Sequence, residues 1–597
     1  MSLRDTLFAL LGGAALAAAS AGCSVPFDEQ PTNLYNRCTT DEDCPAGVCL
    51  STTAGAMCAS TQADLGALLV EVRSPSGLAG ATSSFVFEDA ARLLGSYPRG
   101  ALLDLELEVP PLVVLSGAMR MPGGPIAGCT ADDGSMPLRV EARARSGYVG
   151  IEGSVYTGTS TLIAGSHRFA IELPIGSYDV HLAPLAPAEG CGELLLPPRL
   201  VSEVVVPAGV ANVELEPPSE PATTLGGSLL VPSGGSVEGW TLEVVDPRYG
   251  LPLSRPLVLG APASASETIP IAEPGASVLQ FTFTQSAVLR LRSVDGALAV
   301  HWSLAALDLD GDGAVELDLR DLIANPKSLV ATVLDSSGAP VSAATVTVQS
   351  VALTGDVNQN ASFRVLAESD AEGQLSVQLV PGTYAVSLVP ASGGAATLVT
   401  DWIITESTQC CGKTFELPKR SRLGGEVLGL DGFGLADAAV FASPSLQQPV
   451  SYFSAALQPP PLLPRPTSTV ADTSGRFELS VDPGMLDLSV RSDASTGYPW
   501  LVVPRLLVQG EATQPSLELG RLGLLAPAVL QGRVASAGVE VPRAIVRAWL
   551  PVASPNEEGG VVPLVQIGET TADELGRFVL PVPPRITLSA PAAPAPR

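Results

Sequence analysis

The sequence predicts an all-β protein, a row of antiparallel β-sandwiches in tandem. Three observations carry that prediction. First, the motif Asp-x-x-Gly-x-(Leu or Phe) recurs as Asp370…Gly373…Leu375, Asp472…Gly475…Phe477 and Asp573…Gly576…Phe578, with aspartates 102 and 101 residues apart. A period near that length is the size of a whole domain, far above the roughly 20–50-residue units of solenoids and propellers. Second, the landmarks around the motif repeat. A Gly, Ala, Val set precedes it (Gly338/Ala344/Val346, Gly432/Ala438/Val440, Gly538/Ala544/Val546), and a turn follows at Pro381-Gly382, Pro483-Gly484 and Pro583-Pro584. Third, apolar residues alternate between these landmarks, as in Gln374-Leu375-Ser376-Val377-Gln378-Leu379. Period two marks a strand with one buried face. A sheet with one apolar face needs a second sheet against it.

Along the chain, residues 1–22 read as a signal peptide. Arg4 lies in a short polar start, and Leu7 to Gly22 is an Ala-rich apolar run, shorter than the ~20 residues a spanning helix needs. It ends Ser20-Ala21-Gly22-Cys23, which resembles a bacterial lipobox, with Ser20 where that pattern carries an aliphatic residue. The resemblance implies lipidation of Cys23 and a lipid anchor in the cell envelope, in the outer membrane on its periplasmic or surface face. Secretion is the alternative. Setting Cys23 aside leaves eight of nine cysteines, an even number suited to an oxidising compartment. In the segment 23–64, Cys38, Cys44, Cys49 and Cys58 suggest a knot of two disulfides of open connectivity, with a metal cluster as the other reading. Cys129 and Cys191 fall in one sandwich and can pair. Cys410 and Cys411 are adjacent, as a vicinal disulfide or with other partners.

Residues 65–109 are strand-rich (Leu68 to Val72, Leu103 to Leu107) but join no sandwich by sequence. A degenerate sandwich is expected over 110–217, where Phe169 to Tyr178 echoes the Leu375 to Tyr384 stretch. Another, opened by Gly226-Gly227-Ser-Leu229, is expected over 222–325. Segments 327–420, 421–519 and 528–597 carry the repeat itself. The second of these has a Pro-rich insertion (459–466). The last stops before any counterpart of Trp402-Ile403-Ile404, so its final strand is missing or comes from elsewhere.

These residues are similar to the carboxypeptidase regulatory-like family, on Gly338 to Val346, Asp370…Gly373 and Val380-Pro381-Gly382-Thr-Tyr384. The resemblance implies a transthyretin-like, Ig-like sandwich of seven strands, close to the B-type repeats of bacterial adhesins. It does not imply peptidase activity. The three histidines, His167, His181 and His301, are followed at the third position by Ala170, Pro184 and Leu304, so the His-x-x-Glu zinc motif is absent. Nor is there a Gly-x-Ser-x-Gly elbow or a phosphate loop. No catalytic residue and no enzyme activity are expected.

A net charge of −28 excludes nucleic acid, which is bound through Lys and Arg. One acidic loop, Asp308-x-Asp310-x-Asp312-Gly313, resembles extracellular calcium loops, with Glu316 or Asp318 as further oxygen ligands. The alternative is an acidic turn between strands, so no cofactor is expected beyond calcium there. Trp402 and Trp500 sit in apolar strand runs and read as core. The sequence therefore points to a non-enzymatic envelope lipoprotein, a rod of sandwiches that spaces or presents a binding surface, partnered by the membrane and by an envelope protein or a glycan. A carbohydrate-binding accessory protein is the alternative.

Overall fold

The computed structural model describes residues 36–44, 47–60, 68–75, 83–87, 104–109, 112–145, 154–191, 194–207, 209–217, 223–231, 237–260, 268–270, 279–281, 287–304, 314–320, 327–354, 361–408, 410–445, 463–492, 496–510, 512–551 and 564–585. Over these residues the protein is all-β, and its strands build five sandwiches after a small disulfide-linked hairpin.

The third sandwich shows the plan. Its seven strands are Lys327–Asp335, Thr345–Leu353, Ala361–Glu368, Gln374–Leu379, Gly382–Val389, Leu398–Ile404 and Lys413–Leu417. In one sheet the first strand lies between the fourth, antiparallel, and the seventh, parallel. In the other, the order is third, second, fifth, sixth, all antiparallel. Alternation places the core: Leu375, Val377 and Leu379 are buried while Gln374, Ser376 and Gln378 are exposed. They face Val346, Val348, Tyr384 and Val386 of the opposite sheet.

The repeated aspartates make the turn into the fourth strand. The Oδ1 of Asp472 accepts the amides of Ser474 (2.8 Å) and Arg476 (2.9 Å), and that of Asp573 accepts those of Leu575 (2.9 Å) and Arg577 (2.8 Å). The motif glycines Gly373, Gly475 and Gly576 have φ of 73°, 77° and 68°. Their carbonyls accept the amides of Val333, Val427 and Val534 on the first strand. A Cβ there would lie 2.3–2.5 Å from those same strands' carbonyl oxygens. Both the left-handed conformation and the close approach therefore require glycine.

The plan recurs in the first sandwich (Val113–Gly117 through Asn212–Leu215), the second (Thr223–Leu230 through Ala314–Asp318) and the fourth (Ser421–Leu428 through Ser516–Gly523), each with its last strand parallel to its first. In the first, Tyr178 is buried like Tyr384, and each hydroxyl donates to the carbonyl four residues back, Pro174 or Val380, at 2.7 Å.

The fifth sandwich corrects the sequence reading. Ala528–Ser536, Ile545–Pro551, Leu564–Thr571 and Arg577–Val582 supply its first four strands. The remaining three come from the other end of the chain. Leu68–Arg73 pairs with Ile545–Pro551 as the fifth strand, Ser83–Phe87 pairs with it as the sixth, and Asp104–Glu108 runs parallel to Ala528–Ser536 as the seventh. The unassigned segment 65–109 and the incomplete segment 528–597 are thus one domain. Leu68, Val70, Val72, Leu107 and Val109 share its core with Val546, Ala548, Phe578 and Leu580. The physical reason is the uncovered apolar face that four strands alone would leave.

This closure also corrects the expectation of an open rod. Glu108 is followed by the first sandwich at Val113, and Gly523 leads from the fourth into Ala528. Five residue steps reach at most roughly 18 Å. The first and fourth sandwiches must therefore both abut the fifth, and the five domains close in a cycle.

Candidate functional site

Buried ionisable groups of two kinds occur: Glu243 and Arg290 pair inside the second sandwich (2.8 Å), while Asp179, His181 and Asp482 lie at the joints of this cycle. Between the first and second sandwiches, Asp179 is buried and accepts Arg248 Nη1 (3.0 Å), the Tyr249 hydroxyl (2.7 Å) and, from its own domain, the Glu203 amide (3.1 Å). His181 is buried on its strand, with Nε2 2.7 Å from the Pro252 carbonyl oxygen. Burial holds its pKa below the ordinary histidine value, against the opposing pull of that hydrogen bond. The second and third sandwiches share one eight-stranded sheet, joined where Leu298, Ala299 and Val300 pair with Phe363, Ser362 and Ala361.

Between the third and fourth, Asp482 is fully buried. Arg465 donates to it from Nε (2.7 Å) and Nη2 (2.8 Å), and Arg420 Nε lies 3.2 Å away. Arg465 also donates to the carbonyls of Pro390 (2.8 Å) and Ala395 (2.6 Å). The Pro-rich insertion thus carries the arginine that ties these domains together. Burial alone would raise the pKa of Asp482, but the Arg465 hydrogen bonds and the two guanidinium charges bring it below the usual carboxylate value.

The hairpin at the start of the described chain sits on the fourth and fifth sandwiches. Cys38 pairs with Cys49, and Cys44 with Cys58. The sulfurs of Cys38, Cys44 and Cys58 lie within 4.8 Å of one another, which the two disulfides explain without a metal. Asp43 accepts the amides of Thr39 and Thr40, and these bonds hold its pKa down to about 2. Leu50, Met57 and Ala59 pack on Val529. Asn36 Nδ2 donates to the carbonyls of Cys58 (2.8 Å) and Gly497 (3.0 Å), and the Ser60 amide donates to that of Pro527 (2.8 Å). Cys129 pairs with Cys191 across the first sandwich. Cys410 and Cys411 are unpaired, exposed thiols. Adjacent Cα atoms stand ~3.8 Å apart across a trans peptide, below the usual disulfide range.

Of the acidic loop, Asp308, Asp310 and Asp312 lie outside the described residues, as do the signal segment and Cys23. Glu316 and Asp318 are exposed on the strand that follows, and Asp318 is engaged by Arg320 at 2.6 Å. No tryptophan is exposed: Trp402 is buried, while Trp240, Trp302, Trp500 and Trp549 are half-buried. Trp500 packs on the fifth core under the Arg491 guanidinium, 4.0 Å from its ring centre, and Trp549 Nε1 donates to buried Glu71 (2.9 Å). These last two are joint residues, where core was expected for Trp500. A cleft of 370 Å³ between the fourth and fifth domains is lined by Trp500, Leu501, Leu519, Arg521 and Arg585 and has no carboxylate or nucleophile in its wall.

The closing joint of the fifth sandwich is the feature that sequence reading missed. Two signals were present. Leu65-Gly66-Ala67-Leu68 stands to the strand after it as Pro381-Gly382-Thr383-Tyr384 does in the third sandwich, and Gly532 occupies the position of Gly117, Gly227 and Gly425 in the first strands of the first, second and fourth sandwiches, where the third has Ala331.

No family model matches the chain, and no curated protein matches it. Among solved structures it is similar to a streptococcal ancillary pilin (12% identity, 49% of this chain and 98% of that one, TM-score 0.19). It is also similar to GBS52, the minor pilin of Streptococcus agalactiae (13%, 33% and 96%, 0.21), and to the TIE protein of Bacillus anthracis (11%, 65% and 67%, 0.16).

Proposed function

We propose that the protein is a non-enzymatic scaffold of the bacterial cell envelope, anchored by lipid at Cys23 and presenting its sandwiches as a binding surface. The observation that carries this reading is the use made of buried polar groups. Asp179, His181 and Asp482 are spent on joining domains, and Glu71 on joining the two ends of the chain. A general acid or base needs to reach a substrate in a cleft; the first three face neighbouring domains, and Glu71 is held by Trp549 within the fifth sandwich. The half-buried and buried tryptophans give no flat aromatic platform for a sugar, which favours the scaffold over the carbohydrate-binding module. Kinship with the carboxypeptidase regulatory-like family belongs to the same proposal and rests on the repeated motif alone. Fractionation of cells carrying the wild type and Cys23→Ser tests the anchor. The wild type is expected with membranes and the variant in the soluble fraction; a wild type that is soluble too rejects it. Turnover of peptide, ester or glycoside substrates by the purified chain would reject the non-enzymatic reading.

A further inference from the structure

The fifth sandwich is closed by an arm, residues 36–109, whose contacts belong to the far end of the chain. Its hydrogen bonds to Thr496, Gly497, Pro527, Gln531, Ala535 and Trp549 and its ladders with 531–535 and 545–549 all run there. Disulfides Cys38–Cys49 and Cys44–Cys58 lie within the arm, so nothing covalent ties the arm to its acceptor directly. An acceptor without an arm would expose the apolar faces of Val546, Ala548, Phe578 and Leu580 and one unpaired edge on each sheet. Such edges and faces recruit a matching strand.

We propose that a second copy of this chain supplies that arm in trans, so that molecules join by exchanging residues 36–109 into one another's fifth sandwich. The exchanged joint repeats every contact of the closed one, because donor and acceptor sequences are the same. Closure within one molecule requires the first four domains to bring both their ends to the fifth; exchange does not. The two outcomes then compete through concentration alone. Intramolecular closure acts at a fixed effective concentration, and exchange grows with the amount of protein. The proposal is independent of what the protein binds or whether it is anchored.

Arg73 and Ile545 are register partners across the closing ladder. Opposed residues in an antiparallel pair have Cα atoms ~4.5–5.5 Å apart, within disulfide reach. The test uses the full mature chain with Cys410→Ser and Cys411→Ser, carrying Arg73→Cys in one preparation and Ile545→Cys in the other. The two are mixed, unfolded in acidic denaturant without reductant, refolded at a series of concentrations and oxidised. A 73–545 cross-link between chains, identified by peptide mass, is expected, with the dimer-to-monomer ratio rising about tenfold per tenfold in concentration. The doubly substituted chain should close within itself when dilute. Monomers at every concentration, with that internal link formed, overturn the proposal. So does wild-type protein that refolds only to monomer by light scattering over the same series.

Discussion

Gly532→Val is the sharpest probe of the split domain. Gly532 lies opposite Leu105 in the parallel ladder between the first and seventh strands. A Cβ there would stand 2.1 Å from the Leu105 carbonyl oxygen and 2.7 Å from the Leu105 Cβ. The neighbour is backbone, so no rotamer change relieves the clash and the seventh strand must leave. With it go Leu107 and Val109, which are 2% and 0% exposed. Full burial of such a side chain contributes roughly 1.5–3 kcal/mol, so the loss is about 3–6 kcal/mol, an upper figure because unfolded chains already bury some area. Against a typical ~5–15 kcal/mol for a domain, that is most of the margin. A shift of ~4–8 °C per kcal/mol for a domain of this size gives a melting transition lower by about 12 °C or more. Five joined domains do not melt as one two-state unit, so the assay is local: hydrogen exchange of the peptides covering 104–109 and 528–536, with calorimetry beside it. The control is Gly523→Ala, where a Cβ meets nothing within 4 Å. Unchanged protection of 104–109 and an unchanged transition in Gly532→Val would refute the claim that this strand completes the fifth sandwich.

Three further outcomes follow from the joints and the disulfides. Arg465→Ala removes the main partner of a buried carboxylate at Asp482, and breaking a buried pair costs about 3–5 kcal/mol; limited proteolysis should open the chain near 390–396, and a digestion pattern like the wild type's would reject the joint. Asp482 and Asp472 both have folded pKa values below the ordinary one, Asp472 through the Ser474 hydroxyl and the amides of Arg476 and Ser474. Their contribution is therefore complete above the unfolded value near ~3.9 and is lost as pH falls through the lower folded values; the melting temperature should hold between about pH 7 and 5 and fall below about 4, with a smaller fall in Asp482→Asn. Replacing Cys129 and Cys191 by Ser releases a span of 62 residues, worth up to about 4 kcal/mol by chain entropy, and calorimetry of the first sandwich's transition measures it.

The sandwich was legible because alternation, Asp-x-x-Gly turns and the Pro-Gly turn are local chemistry, written within a few residues of the strands they shape. Asp573 and Gly576 behave as Asp472 and Gly475 do. The buried joints were not legible, since nothing in the sequence around Arg465 or His181 names a partner in the next domain. Period two says which side of a strand is buried, never which strand covers it. The split domain fell into that gap for a particular reason. The repeated motif stands between the third and fourth strands, so the fragment that keeps those strands, 528–582, was recognised, and the fragment with strands five to seven carried no motif and stayed unassigned.

The position of the break gives the split its meaning. The fifth sandwich is interrupted at Pro583-Pro584, where the third and fourth have Pro381-Gly382 and Pro483-Gly484 between strands four and five. Its seven strands are thus a whole domain with its ends moved to one turn, and the other four domains inserted between its seventh strand and its first. Glycine at 532 keeps the backbone approach that Gly227 permits against Val315, where a Cβ would lie 1.9 Å from the carbonyl oxygen. The first strand is therefore built for a parallel neighbour even though its own end of the chain provides none. Folding must wait in consequence. Strands at 68–108 leave synthesis with their partners more than four hundred residues away, and loop closure over that distance is slow relative to the local pairing of the other four sandwiches. The last domain to be completed is the one that holds the two ends together, and in that interval its arm and acceptor are available to another copy.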